Sequence, residues 1–117
     1  MAKPRIKRVY EPRAPDDGRR VLVDRIWPRG VGKKKLGDAL WLKDIAPSTA
    51  LRKWFDHRPE RWKEFNVRYA AELDHNADAV AMLRALIKRG PVTLLYSARD
   101  EKHNQARALA MYFGASR

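Results

Sequence analysis

At 117 residues the chain is long enough for one domain with a real core and too short for two ordinary ones. It contains no cysteine, which excludes disulfides, thiolate nucleophiles and cysteine metal sites and fits a reducing compartment. Lysine and arginine outnumber aspartate and glutamate 26 to 14, and the first 35 residues hold 12 basic against 4 acidic side chains, so +8 of the net +12 lies there. Such a field attracts anions, nucleic acid included, and it equally describes a solvated basic surface. No stretch approaches the ~20 apolar residues of a bilayer-crossing helix. The start, MAKPRIKRVY, lacks the apolar middle of a secretory signal, so a cytoplasmic location without a membrane partner is expected.

No repeat or low-complexity segment interrupts the chain. Arg5 to Tyr10 alternates like a short strand, and PRAPDDGRR at 12–20 reads as a turn built on two prolines and Asp16-Asp17-Gly18. A second strand is predicted over Arg20 to Ile26. WPRGVGKKKLG at 27–37 reads as a basic loop, since Pro28 disfavours helix at Trp27 and Gly30, Gly32 and Gly37 raise the cost of regular structure. Leu40, Trp41 and Ile45 suggest a short helical turn ending before Pro47, and Ser48 is placed to cap a helix over Thr49 to Phe55.

Pro59 suits the first position of the next helix, with Glu60 at its positive end and Trp62, Phe65, Tyr69 and Leu73 as its apolar stripe. Asn76 can cap another, whose stripe of Val80, Leu83, Leu86 and Ile87 is closed by Lys88, Arg89, Gly90 and Pro91. Val92 to Tyr96 is nearly continuous in apolar and β-branched residues, the pattern of a strand covered on both faces. A last helix is predicted from Asp100 or Glu101, with Ala106, Leu109, Ala110 and Phe113 facing inward before Gly114. The order implies a single α/β domain with a short, mostly parallel sheet of about three strands flanked by helices, the two inner strands parallel.

In an open parallel sheet, ligands collect beyond the carboxyl ends of the strands. Both inner strands end in polar groups there: Asp24, Arg25 and Arg29 after one, Ser97, Arg99 and Asp100 after the other. His103 continues the inward stripe of the last helix toward the same end, and the first turn of that helix favours an anion. Duller roles fit the same residues. Asp24 and Arg25 would point to opposite faces of a strand, and Asp24 suits a cap or a buried ion pair. Trp27 and Trp54 suit the core, Ser97 and Asp100 suit a helix start, and His103 suits a bond to a backbone carbonyl as well as proton transfer.

His57 and His75 lie at helix boundaries and read as surface residues; with His103 they show no short ligand spacing, so no metal is expected. No GxxxxGK(S/T) loop, GxGxxG turn or GxSxG elbow is present, which leaves nucleotide cofactors and a serine hydrolase unsupported; no cofactor is expected.

Three segments, VLVDRIWPRGVGKKKL, WLKDIAPSTALRKWF and VTLLYSARDEKHNQA, in this order and spacing resemble the YeaO-like family of small bacterial proteins, a family of unknown function. The likeness covers nearly the whole chain. It implies one α/β domain of undetermined activity, with motif positions on Asp24, Arg25, Trp27, Arg29, Lys43, Asp44, Ser48, Arg52, Tyr96, Asp100, His103 and Asn104, among others. A broader group of relatives carries cysteines around the second inner strand. Tyr96 and His103-Asn104 stand near those positions here, so any cysteine chemistry cannot be transferred.

The resulting expectation is a domain that binds a small phosphate- or carboxylate-bearing ligand between the strand ends. Arg25, Arg29 and Lys43 would supply charge-assisted contacts, and Trp27, Ser48, Arg52, Ser97 and Asp100 would join the binding set. Were it an enzyme, His103 would be the acid or base, Asp24 or Asp44 its orienting partner, and Tyr96 and Asn104 substrate holders. The alternative is a non-specific nucleic-acid binder using the basic first third and Trp27 for stacking. No helix-turn-helix followed by a basic recognition helix supports a regulator. The oligomeric state is not legible.

Overall fold

The apolar run Val92–Tyr96 forms β4, buried along its whole length, because it lies inside a sheet with a strand on either side. The structure is a computed structural model that describes residues 3–114. In it β1 (Arg5–Arg8), β2 (Arg19–Leu22) and β3 (Leu40–Trp41) join β4 in the order β1-β4-β2-β3. All pairings are parallel, with Ile6 beside Leu94 and Val21 beside both Leu94 and Leu40. The sheet therefore has four strands, one more than the sequence suggests, and the two inner strands run parallel as the element order requires.

Side-chain alternation splits the strands between two cores. Val21, Val23, Leu94 and Tyr96 face the helices α2 (Thr49–Phe55), α3 (Trp62–Asp74), α4 (Ala77–Arg89) and α5 (Gln105–Gly114), meeting Phe65, Tyr69, Leu83 and Leu109. Leu22, Leu95 and Val9 face the other way, onto Val31, Leu36 and Trp27 of the basic segment. Burying each such side chain contributes about 1.5–3 kcal/mol before chain entropy is counted. Tyr69 also donates its hydroxyl to the Ile45 carbonyl at 2.6 Å, which ties α3 to the strand-to-α2 connection.

Several boundaries differ from the sequence reading. β2 stops at Leu22, although Val23 still donates to the Leu95 carbonyl at 3.1 Å, so the chain leaves the ladder gradually. The basic loop contains one helical turn, α1 (Lys33–Leu36), which delivers Leu36 to the second core. Leu40 and Trp41, read as part of a helical turn, form the edge strand; the turn is a 3-10 segment over Lys43–Ile45. Another 3-10 turn, Pro59–Arg61, leads into α3. The last helix starts at Gln105, because Asn104 is its cap: its Oδ1 accepts the Arg107 N–H at 2.8 Å. Asn76 stands at the start of α4 but sends its amide to the Asp44 carbonyl at 2.8 Å instead of capping.

At the opposite end of the sheet Gly18 is sterically required. Its φ of 67° is left-handed, and a Cβ there would lie 2.3 Å from the Pro91 carbonyl oxygen. The neighbouring Asp17 is buried and takes the Lys7 ammonium at 2.7 Å. Burial pushes its carboxyl upward, but the Ala14 N–H, Lys7 and Arg20 outweigh this and hold it below the usual range.

Candidate functional site

Past Leu22 and Tyr96 the two inner strands are joined by side chains. Ser97 donates to Asp24 Oδ2 at 2.5 Å, and the Gln105 amide at the start of α5 donates to Asp24 Oδ1. Asp24 is only 7% exposed, and burial pushes its carboxyl upward against those hydrogen bonds and the charge of Arg52. Arg8 fixes the second strand end from the side, its guanidinium donating to the Ser97 and Ala98 carbonyls at 3.2 and 3.0 Å.

A cleft of about 350 Å³ opens above this junction, with Asp24, Arg29, Pro47, Arg52 and Ser97 among its walls. A second hollow of about 400 Å³ adjoins it, lined by Phe55, Phe65, His103 and Asn104 among others. Ile26, Pro47, Arg52, His57, Ala98 and Gln105 belong to both, so the two are lobes of one site. Arg52 projects from α2, exposed, and apart from its pull on Asp24 its side chain has no partner among the described residues.

His103 lies in the second lobe as part of a tight turn. Asp100 accepts the Lys102 and His103 N–H groups on Oδ1 at 2.9 and 3.0 Å, and meets His103 Nδ1 on Oδ2 at 2.9 Å. The His103 ring bond, reinforced by those N–H groups, keeps the Asp100 carboxyl below its usual range. An ionised carboxylate only accepts, so Nδ1 carries a proton, and in the neutral ring Nε2 is the acceptor. Trp62 packs edge-on against the imidazole at 5.4 Å, fixing its plane. The group that orients His103 is thus Asp100. Asp24 is engaged by Ser97 and Gln105, and exposed Asp44 lines neither lobe.

The remaining candidates divide. Arg29 lines the first lobe, exposed, with its carbonyl accepting the Tyr10 hydroxyl at 3.0 Å. Arg25 also borders that lobe, but its guanidinium is spent on the Pro47 and Ala46 carbonyls at 3.1 and 3.0 Å, where it holds the entry to α2. Trp27 borders it half-buried, its N–H given to the Val31 carbonyl at 2.6 Å and its ring edge-on to Trp41 at 5.2 Å. Lys43 lies over the Trp41 ring at 5.3 Å, outside both lobes. Ser48 caps α2 by accepting the Leu51 N–H, and its hydroxyl and N–H donate to Glu72 at 2.5 and 2.8 Å. Tyr96 is buried under the helices and lines neither lobe. Asn104 borders the second lobe with both amide atoms used, Nδ2 on the Asp100 carbonyl and Oδ1 on Arg107 N–H.

Gln105 and His57 are two of several lining residues that escape a reading of the sequence. Gln105 is uncharged and inconspicuous between His103 and the helix stripe. His57, a surface residue by expectation, is exposed yet faces both lobes because Asp56 and His57 take successive left-handed conformations, φ 49° and 52°. Each left-handed non-glycine residue costs on the order of 1 kcal/mol, and such strain collects where a side chain must be aimed. Among the described residues no three His, Asp or Glu side chains gather where they could hold a metal ion, and no helix is long and apolar enough to cross a membrane.

A family model described as the inactive DUF488-N3 subclade matches residues 3–115. The chain is 49% identical to the uncharacterized protein Rv3073c of Mycobacterium tuberculosis over 106 residues, 91% of this chain and 89% of that one, and the same figures hold for the uncharacterized protein Mb3100c of Mycobacterium bovis. It is 44% identical over 104 residues to the uncharacterized protein YeaO of Escherichia coli, covering 89% of this chain and 90% of that one. No solved structure matches the chain. A match across almost the full length, together with relatives of near-equal length, puts the chain in the YeaO-like DUF488 family, within the branch described as the inactive DUF488-N3 subclade.

Proposed function

We propose that the protein binds a small organic anion, carrying a carboxylate or phosphate, in the two-lobed cleft beyond β2 and β4. The observation that supports this most is Arg52. A guanidinium at the boundary of both lobes, with no hydrogen bond or ion pair of its own among the described residues, is a ready partner for a planar or tetrahedral oxyanion, which it can grip through two N–H groups. Arg29 adds positive charge to the first lobe and Lys53 to the second. His103, held by Asp100, serves as a hydrogen-bonding wall. The word inactive in the family description agrees with binding in preference to turnover.

The nucleic-acid reading has less beneath it. The indole that would stack on bases is tied to Val31 and packed against Trp41, although Lys33, Lys34 and Lys35 remain an exposed basic cluster.

Calorimetric titration of wild type and Arg52→Gln with inorganic phosphate and with 3-phenylpropionate tests the proposal. Losing a charge-assisted pair should weaken binding at least ~10-fold. Equal binding by the two proteins, or none by wild type to either probe, overturns it.

A further inference from the structure

The first lobe holds a contradiction for any bare anion. Asp24 and Arg52 line the same hollow and act on each other electrostatically, yet they do not form an ion pair. Asp24 instead takes the Ser97 hydroxyl and N–H and the Gln105 amide, and with about four lone-pair sites on a carboxylate it keeps room for one further donor from the lobe it lines. An oxyanion gripped by Arg52 would share the lobe with this buried carboxylate, and like charges brought together beside a buried group repel. The repulsion is offset when the ligand itself brings Asp24 a hydrogen-bond donor.

The second lobe adds a different demand. Its walls include Phe55, Phe65 and Ala98, and Ile26 stands 64% exposed at the boundary with the first lobe. An isoleucine so exposed beside apolar walls is covered when an apolar group lies across it. Arg52, at the same boundary, fixes where the polar head must sit.

We infer that the cleft selects a ligand with a hydrogen-bond donor, an ammonium or a hydroxyl, next to its anionic group: donor on Asp24, anion on Arg52, and an apolar arm in the second lobe. The chemical class is an α-amino or α-hydroxy acid with an apolar or aromatic side chain. This rests on the anion-binding reading of the cleft and narrows it.

Calorimetry of the wild-type protein with L-phenylalanine, L-3-phenyllactate, 3-phenylpropionate and L-alanine tests the inference. Phenylalanine or phenyllactate should bind at least ~10-fold tighter than phenylpropionate, which keeps the anion and the arm but lacks the donor. Which of the two binds tighter tells ammonium from hydroxyl. Alanine, which lacks the arm, should bind at least ~10-fold weaker than phenylalanine; equal binding overturns the arm. Asp24→Asn should bring phenylalanine and phenylpropionate within about threefold of each other. Phenylpropionate binding as tightly as the donor-bearing acids, with loss in Arg52→Gln, overturns this inference and leaves the anion reading standing. Failure of all four ligands also overturns it, and the phosphate titration then decides the broader reading on its own.

Discussion

Ser97 and Asp24 lie 73 residues apart in the chain and share a hydrogen bond of 2.5 Å. The bond closes the gap between the ends of β2 and β4, and Gln105 extends it into α5. Three elements thus depend on one buried carboxylate, which gives this end of the sheet both its rigidity and its sensitivity to pH.

That sensitivity has a definite sign. Burial, the largest influence, raises the folded-state pKa of Asp24 above its ordinary value near 3.8, so the folded protein binds this proton more tightly than the unfolded chain. The stabilising contribution is full below the ordinary value and is lost as pH rises through the raised one. Asp24→Asn removes the titration while keeping the shape and one acceptor. Urea denaturation across that window should show a falling contribution in wild type and a flatter profile in the variant. Identical pH slopes would show that Asp24 does not titrate in this way.

Ser48 separates a structural role from a binding one. Its hydroxyl both caps α2 and donates to Glu72 on α3. Ser48→Ala should cost about 1–2 kcal/mol, from the lost cap and an unpaired carboxylate oxygen, and lower Tm by several degrees. Phosphate affinity should be unchanged. Weakened phosphate binding with an unaltered Tm would make Ser48 a ligand contact instead.

The parts of the fold that the sequence makes legible are those where local pattern and tertiary packing agree. Val92–Tyr96, the α3 and α4 stripes and the Ser48 cap are such places, and the proline at 59 marks the approach to α3. Leu40-Trp41 misleads because a two-residue edge strand is created by its pairing to Val21 and Leu22, a long-range partner that no local period encodes. Asp100 misleads because it favours both a helix cap and a turn, and only Asn104's bond to Arg107 N–H decides where α5 begins. In the site, charge makes Asp24, Arg29 and Arg52 conspicuous. Sequence does not say that Arg25 turns toward backbone carbonyls, or that a left-handed step after α2 brings His57 round to the cleft.

Asp100 also dictates which nitrogen of His103 carries the proton, and this can be inverted. With a carboxylate facing Nδ1, the ring must donate there, and Nε2 is an acceptor in the neutral form. Asp100→Asn leaves Oδ1 free to accept the Lys102 and His103 N–H groups and turns an NH₂ toward Nδ1, which then has to accept. The favoured tautomer becomes Nε2–H, and the wall of the second lobe changes from acceptor to donor. Ring nitrogen-15 shifts of His103 at a pH where the imidazole is neutral should report Nδ1–H in wild type and Nε2–H in the variant; an unchanged tautomer would mean that Asp100 does not control the ring. The same substitution removes a carboxyl whose pKa is depressed below 3.8, chiefly by the His103 bond. Wild type therefore holds that contribution above the ordinary carboxylate value and loses it as pH falls through the depressed one, the reverse of the trend at Asp24. The loss at neutral pH should be modest, about 1 kcal/mol, because the turn is partly solvated and only its charge-assisted bonds are weakened.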